Sequence, residues 1–384
     1  MVVSTFWIFA QLAVGINLLL PLVLYLAHLF IKKPTIVRRS YDYDYGVIVT
    51  AYEQIEMLPR VIETLLKVHY QNFLIYIVAD NCDTSSLRIT DPRVILLEPA
   101  EILASNTKSH LFAIQHFKRR HEVLTIIDSD NLTHPNYFKE LNVFFDLGFE
   151  AVQGTRSPKN LDSTYACLDA ARDIYYHFYD GELMFQLGSS ATLSGSGMAF
   201  KVELYLDCMK NYNFTGAGFD KVLQASIVGK GLRIAFARDA VVYDEKTSNT
   251  AQLINQRSRW INTWFRYFKF GFKLVGKGTS KPNFNQFLFG VILLRPPLFL
   301  FLILSIIFAL INILIAPLLS WLWLAALLIF VLSFFLALGS KKTDLKIYRS
   351  LVNIPKFMFI QVLSLFYSRN ANKRSVATKH NTEL

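Results

Sequence analysis

The chain has 384 residues, a net charge of +11 and 53% hydrophobic residues. A soluble domain of this length is ordinarily less apolar, and the excess lies at the two ends, which excludes a wholly soluble enzyme and argues for a soluble domain held to a membrane. Nucleic acid, a common partner of basic proteins, is also excluded, because the basic residues track the apolar stretches and so fit attraction to membrane lipids with anionic headgroups.

Phe6 to Ile31 carries no charge and is long enough to cross about 30 Å of hydrocarbon. A cleaved signal peptide places its basic residues before a shorter apolar run; here Lys32, Lys33, Arg38 and Arg39 follow it. Residues 1–33 are therefore expected to form a transmembrane helix, with the N-terminus outside and the chain entering the cytosol near Lys32.

From about residue 40 the pattern becomes strand, helix, strand. Tyr45–Tyr52 and Phe73–Asp80 are short β-rich runs, and 91–98 is a third. Ile55, Leu58, Ile62, Leu65 and Leu66 recur at helical spacing within 53–68. A second helix is predicted over 107–120 and a fourth strand over 122–130. Strands alternating with helices argue for an α/β domain, 40–265, with a parallel sheet covered on both faces. Such sheets bind ligands at the carboxyl ends of their strands, where Asp80, Asp128 and Asp130 fall. Asp80 alone is equally a turn or cap residue. Asp128 and Asp130 are harder to explain that way, since two nearby carboxylates repel unless a cation sits between them. A hard cation, Mg2+ or Mn2+, completes its shell with substrate phosphates, so the pair implies a diphosphate substrate. An EF-hand is ruled out by Thr133 and Lys139 at its glycine and glutamate positions, and no Walker-type phosphate loop occurs. His134 reads as a loop or helix-start histidine. Gly195-Ser196-Gly197 reads either as a turn or as a close approach of backbone to an acceptor.

Residues 266–285, with Phe265, Tyr267, Phe268, Phe270 and Phe272 among Arg266, Lys269 and Lys273, read as an interfacial helix. Two spans are expected within 286–340, over Leu294–Ala316 and Leu318–Leu338, with Lys341, Lys342, Lys346 and Arg349 returning the chain to the cytosol. In 341–384, the stretch Leu351–Tyr367 is expected to lie along the membrane surface rather than cross, because crossing would carry a basic tail outside. Cys82, Cys167 and Cys208 lack metal-ligand spacing and read as free thiols in a reducing cytosol.

Four segments occur in an order that resembles the membrane-bound family 2 glycosyltransferases, the group of cellulose, chitin and hyaluronan synthases: Asp80-Asn81-Cys82-Asp83, Asp128-Ser129-Asp130, Gly218-Phe219-Asp220 and Gln256-Arg257-Ser258-Arg259-Trp260. Asp239 to Thr247 adds to the likeness, which covers roughly Tyr45 to Trp264 and the flanking apolar segments. The resemblance implies a GT-A type, Rossmann-like nucleotide-sugar-binding domain with a mostly parallel mixed sheet, flanked by transmembrane helices in a cell (inner or plasma) membrane. It implies that Asp80 holds a uracil base, that Asp128 lies near ribose and metal, and that Asp130 ligates the metal. It places Lys108, Gln256, Arg257 and Arg259 on the donor, Trp260 on the acceptor sugar, and Asp220 as the general base. The expected activity is inverting transfer of a hexosyl or N-acetylhexosaminyl group from a UDP-sugar to a growing β-linked polysaccharide, with a second copy or a partner protein completing the export path. Many polymerising members carry a glutamate where Phe219 stands, which leaves room for single-sugar transfer to a membrane lipid, as in ceramide glucosyltransferases. A non-catalytic membrane scaffold is disfavoured by the intact carboxylates.

Overall fold

The computed structural model describes residues 2–31, 41–210 and 217–371. The basic residues Lys32, Lys33, Arg38, Arg39, Lys373, Arg374 and Lys379 lie outside the described residues. Helix α1 (Val2–Leu29) leads to β1 (Tyr45–Tyr52), α2 (Leu58–Leu66) and β2 (Phe73–Asp80). Both strands have the bounds their apolar runs predict. Helix α2 starts later than its spacing suggests, with Met57 at the cap and Pro59 in the first turn, where a missing N–H costs nothing. Next come β3 (Val94–Leu97), α3 (Asn106–Gln115), β4 (Val123–Asp128), β5 (Leu132–Thr133), α4 (Tyr137–Asp146), β6 (Ala151–Pro158) and α5 (Thr164–Tyr176). Helix α5 runs on into a π-helix, His177–Leu183, and a single turn, α6 (Met184–Gln186). Strand β7 (Met198–Lys201), α7 (Val202–Met209), α8 (Phe219–Gly229) and β8 (Ile234–Asp244) complete the domain.

The strands form one mixed sheet in the order β3-β2-β1-β4-β7-β6-β8-β5. β3, β2, β1 and β4 are parallel, as are β6 and β8, while β7 runs antiparallel between β4 and β6. Alternation assigns the side chains to two faces. Val47, Val49, Ile75 and Ile77 pack under α2 and α4. Ile48, Tyr76, Val78 and Ile126 join a cluster that continues into the apolar helices through Leu18, Phe301, Trp323 and Phe330. The sheet domain and the helical bundle thus share one core. The antiparallel β7 matters for the site: pairing of Ile126 with Met198 lays the loop before β7 across the carboxyl end of β4.

Beyond the sheet, α9 (Thr250–Tyr267), α10 (Lys269–Ser280), α11 (Phe284–Leu294), α12 (Leu298–Ile315), α13 (Pro317–Gly339), α14 (Leu345–Ser350) and α15 (Ile354–Tyr367) follow. The single interfacial helix expected over 266–285 is instead broken at Phe268 and folded back as the α10–α11 pair. The two helices approach so closely that a Cβ at Gly271 would stand 2.7 Å from the Gly290 carbonyl oxygen. Arg295-Pro296-Pro297 then delays the first C-terminal span to Leu298.

Four helical stretches among the described residues are long and apolar enough to cross a membrane: Thr5–Leu29, Leu298–Ile315, Pro317–Gly339 and Leu345–Tyr367. The fourth, expected along the membrane surface, packs against the sheet domain's own helices: Ile347 joins α5 residues in one cluster, Phe357 and Ile360 join Leu253 of α9 in another, and Ser258 Oγ donates to the Ser364 carbonyl at 2.9 Å. Two buried links tie the sheet domain to the apolar helices. Tyr179 Oη donates to the Ser333 carbonyl at 2.8 Å, and Arg295 pairs with Asp180 on the π-helix. The three apolar helices α1, α12 and α13 meet at Gln11, whose Oε1 accepts from Asn312 Nδ2 at 2.5 Å and Trp323 Nε1 at 2.7 Å. Gln11→Ala leaves both donors buried without a partner and is expected to destabilise the bundle by about 1–2 kcal/mol. Thermal unfolding of the detergent-solubilised protein checks this; an unchanged midpoint would show that the three-way contact contributes nothing.

Candidate active site

At the carboxyl end of β4 the chain turns sharply. The Asn131 amide donates to the Asp128 carbonyl at 3.0 Å, and one buried hydroxyl holds the turn from the facing loop. Ser196 Oγ accepts from the Asp128 amide at 3.0 Å and from Asn131 Nδ2 at 2.7 Å. Gly195-Ser196-Gly197 therefore also sets the Asp-x-Asp turn, while Gly195 lines the cavity. Only the β4–β7 pairing brings Ser196 there, and the sequence carried no signal for it.

Arg156, on β6, stands behind the two aspartates. Its Nη1 donates to the Ser194 carbonyl at 2.7 Å and its Nη2 to Asp244 Oδ2 at 2.5 Å. Burial opposes its charge, yet Asp244, Asp173, Asp128 and Asp130 together push its pKa up. From Asp244 the network passes to Lys246, which also pairs with Asp173. Burial raises the Asp173 pKa, but the cations around it, Lys246 first and then Arg172, hold it well below the usual carboxylate range. Arg172 pairs in turn with Asp173 at 2.5 Å and with Asp169 at 3.1 Å. Asp169 is shared with Arg257 of α9. Asp169, Arg172, Asp173, Arg156 and Lys246 were not among the expected site residues; only Asp244 and Lys246 lay inside a stretch the sequence singled out.

Asp220 occupies the first turn of α8, where Lys221 Nζ stands 3.2 Å from its Oδ2 and donates to the Leu193 carbonyl at 3.0 Å. Its helix is capped by Gly218 at φ +102°, a left-handed geometry that favours glycine. A Cβ there would lie 2.7 Å from Thr263 Cγ2 and 2.7 Å from the Tyr267 ring, so α8 and α9 touch through this residue. Phe219 is buried edge-on against His110 at 5.0 Å. His110 bonds Tyr205 Oη at 2.7 Å, and burial pushes its pKa down to about 3. A glutamate at 219 would face a neutral, enclosed ring.

On α9, Gln256, Arg259 and Trp260 line a cavity of about 920 Å³ that also reaches Asp128 and Asp220. Burial lowers the Arg259 pKa. Arg257, expected on the donor, lies in this structure on Asp169, with its guanidinium 4.1 Å from the Trp260 ring centre and that of Arg172 at 4.2 Å. The Trp260 indole stays 39% exposed. Asp80 is buried, and its carboxylate accepts from the Leu103 and Ala104 amides at 2.9 and 2.7 Å, which fixes the loop that opens α3. Lys108 is exposed on the first turn of α3, behind the Ser105 cap. His134 Nδ1 accepts from the Asn136 amide at 3.2 Å, a local helix-start role as its position suggested.

Residues 43–263, more than half of the chain, match the family model described as "Glycosyltransferase like family 2". The chain belongs to this family. No curated protein matches the sequence. Among solved structures, the mannosyltransferase PcManGT from Pyrobaculum calidifontis, determined in complex with GDP-Man and Mn2+, is similar over 94% of this chain and 98% of its own, at 16% identity and a TM-score of 0.57. Residues 1–349 of TarS from S. aureus, in complex with UDP-GlcNAc, cover 54% of this chain and 59% of their own length at 16% identity and a TM-score of 0.38. The family and the first of these likenesses make the glycosyltransferase a GT-A-like mixed sheet with helices.

No group of three or more His, Cys, Asp or Glu side chains is gathered for a metal among the described residues. Two carboxylates at a strand end, Asp128 and Asp130, suit a cation that draws its remaining ligands from diphosphate and water. The charge network along the cavity wall of the glycosyltransferase depends on Asp169. Asp169→Ala leaves Arg172 and Arg257 without their shared buried partner and is expected to cost about 3–5 kcal/mol. Denaturation of the solubilised protein measures it, and a loss under about 0.5 kcal/mol would show that the two guanidiniums are satisfied elsewhere.

Proposed function

We propose that the protein is a membrane-anchored, inverting glycosyltransferase that moves one sugar from a nucleoside diphosphate sugar to a hydroxyl of a membrane lipid. The observation that carries this reading is the cavity. Its one wall holds Asp128, Asp220, Gln256 and Arg259; its other is made of Phe299, Leu302, Leu327, Phe330, Val331 and Phe334 of α12 and α13. An acceptor that fills both parts has a hydroxyl-bearing head and a hydrocarbon tail. The polysaccharide product expected from the sequence fits less well, because a glycan passing those aliphatic and aromatic side chains would leave its hydroxyls without partners, at a cost of roughly 1–3 kcal/mol each. A lipid product also needs neither a second copy nor an export partner.

In this reading Asp220 takes the proton of the attacking hydroxyl, whose oxygen bonds to the anomeric carbon from the face opposite the leaving group. The bond from that carbon to the diphosphate breaks, and the nucleoside diphosphate departs with the electron pair. Asp128 and Asp130 would hold Mg2+ or Mn2+, and when bound the cation neutralises charge on the diphosphate. Arg259 presents a planar fork to the phosphate oxygens, Gln256 lies one turn away, and Arg257 positions Trp260. Asp80 and Lys108 flank the nucleotide end. The resemblance in the sequence favours UDP; the full-length likeness to a mannosyltransferase solved with GDP-Man makes GDP the base to test beside it. The sheet domain lies on the cytosolic side, supported by the end of α13: the Ser340 carbonyl, next to the basic Lys341, accepts from Arg238 at 2.6 Å, so the positive flank and the domain share a side.

The test is turnover of labelled UDP- and GDP-sugars by the purified protein in lipid nanodiscs, followed by organic extraction and sizing. Label is expected in a lipid-soluble product bearing one sugar. Asp220→Asn should lower the rate by about 10²–10⁴-fold with nucleotide affinity kept, and Asp130→Ala or excess chelator should abolish turnover. Long water-soluble chains would overturn the lipid reading; full turnover in chelator would overturn the metal role.

A further inference from the structure

Helix α9 carries more of the cavity wall than its Gln-x-x-Arg-Trp segment. Gln256, Trp260, Thr263, Trp264 and Tyr267 recur at the three- and four-residue spacing of one helix face, and all line the cavity. Along this stripe three polar atoms are buried with no hydrogen-bond partner among the described residues: Gln256 Oε1, Trp264 Nε1 and Tyr267 Oη. Buried polar atoms are ordinarily paired, and three orphans on one face of one cavity point to a missing ligand. The stripe spans roughly 16 Å at about 1.5 Å per residue.

Tyr267 stands nearest the catalytic turn. Its ring lies so close to Gly218, two residues before Asp220, that the Cβ which glycine lacks would be 2.7 Å away, and it stacks on Phe270 at 5.9 Å and 8°. Burial raises the phenol's pKa, Arg266 partly opposes the rise and the Asp220 charge adds to it, so it is a proton donor at neutral pH. Trp264 is fixed by stacking on Phe268 at 5.0 Å.

Resting on the reading of this cavity as the acceptor site, we infer that Tyr267 and Trp264 are acceptor-binding residues for an uncharged, hydroxyl-rich head group, with Tyr267 directing the reacting hydroxyl to Asp220. The mixture of orphans selects the chemistry. An indole N–H only donates, an amide oxygen only accepts, and a phenol does both. A set of hydroxyls satisfies all three. Hydroxyls do so whichever way the Gln256 amide is turned, and the stripe itself carries no cation to offset the charge of a phosphate.

The experiment is equilibrium binding of radiolabelled n-dodecyl β-D-glucopyranoside to the full-length protein in phosphatidylcholine nanodiscs, with dodecyl phosphate as competitor and UDP and GDP binding as controls. Tyr267→Phe keeps the ring, its stack on Phe270 and its contact with Gly218, and removes one hydroxyl. Wild-type protein is expected to bind the glucoside saturably, and Tyr267→Phe about two- to tenfold more weakly, the loss of one ordinary hydrogen bond. Trp264→Phe should lose a similar factor, with nucleotide affinity unchanged in both. Equal glucoside affinity in wild type and Tyr267→Phe, no saturable binding by wild type, tighter binding of dodecyl phosphate than of glucoside, or a fall in nucleotide affinity would each overturn the inference. The readout is binding, so its failure leaves the turnover test of Asp220 standing, and failure of that test is seen independently of this one.

Discussion

Asp169 is a buried carboxylate shared by Arg172 of its own helix and Arg257 of α9. Among the described residues neither arginine has another carboxylate that would hold α9 against α5 in the same way, since Arg172's second partner, Asp173, lies on α5 itself. Replacing buried ion pairs by apolar groups is often neutral or stabilising, so the value of this one lies in position. It fixes α9 by the residue beside Gln256 and leaves Arg259 and Trp260 on the cavity. The guanidiniums that meet at Asp169 also pack against the Trp260 ring, so one contact orients both the helix and its indole. Through Asp173, Lys246 and Asp244 the same network reaches Arg156 behind the Asp-x-Asp turn. The Asp-x-Asp turn and the cavity wall on α9 are thereby joined by one continuous set of charges.

The second consequence is a polarity gradient. The cavity starts among carboxylates, crosses the buried pair of Arg295 and Asp180, and ends among phenylalanines of the spans. The π-helix that carries Asp180 makes this possible. Its extra residue per turn shifts the end of α5 so that Asp180 meets Arg295 while Tyr179 meets Ser333; such segments are rare and often occur at functional sites. A wall with carboxylates at one end and hydrocarbon at the other suits a ligand built the same way.

Much of this was legible in the sequence, for physical reasons. The apolar runs of β1 and β2 are buried on both sides, so their bounds are read from composition alone. Asp128 and Asp130 stand out because paired carboxylates after a buried strand have no packing role. The long apolar helices α1, α12 and α13 are visible because their runs of more than a dozen residues carry no charge. What could not be read depends on pairing across the chain. Ser196 reaches the Asp128 turn only through the antiparallel β7. Arg156 and Asp169 look like ordinary polar residues until α5 is placed between β6 and α9. Arg257 sits inside a segment whose neighbours face the cavity, yet its position on the helix turns it to Asp169. The break after Tyr267 escaped because the aromatic and basic residues continue through it, and the fold-back after Ser280 is explained only by the close packing of Gly271 on Gly290.

The central claim is that an acceptor tail enters between α12 and α13 and continues to the catalytic carboxylates. A lipid carrying a photoreactive diazirine at the end of its acyl chain, reconstituted with the full-length protein and mapped by mass spectrometry after irradiation, tests it most directly. The account predicts adducts on Leu302, Leu327 and Phe330, which line the cavity. Adducts confined to outward residues such as Leu314, Leu318 and Trp321, which are exposed on the bundle, would contradict it.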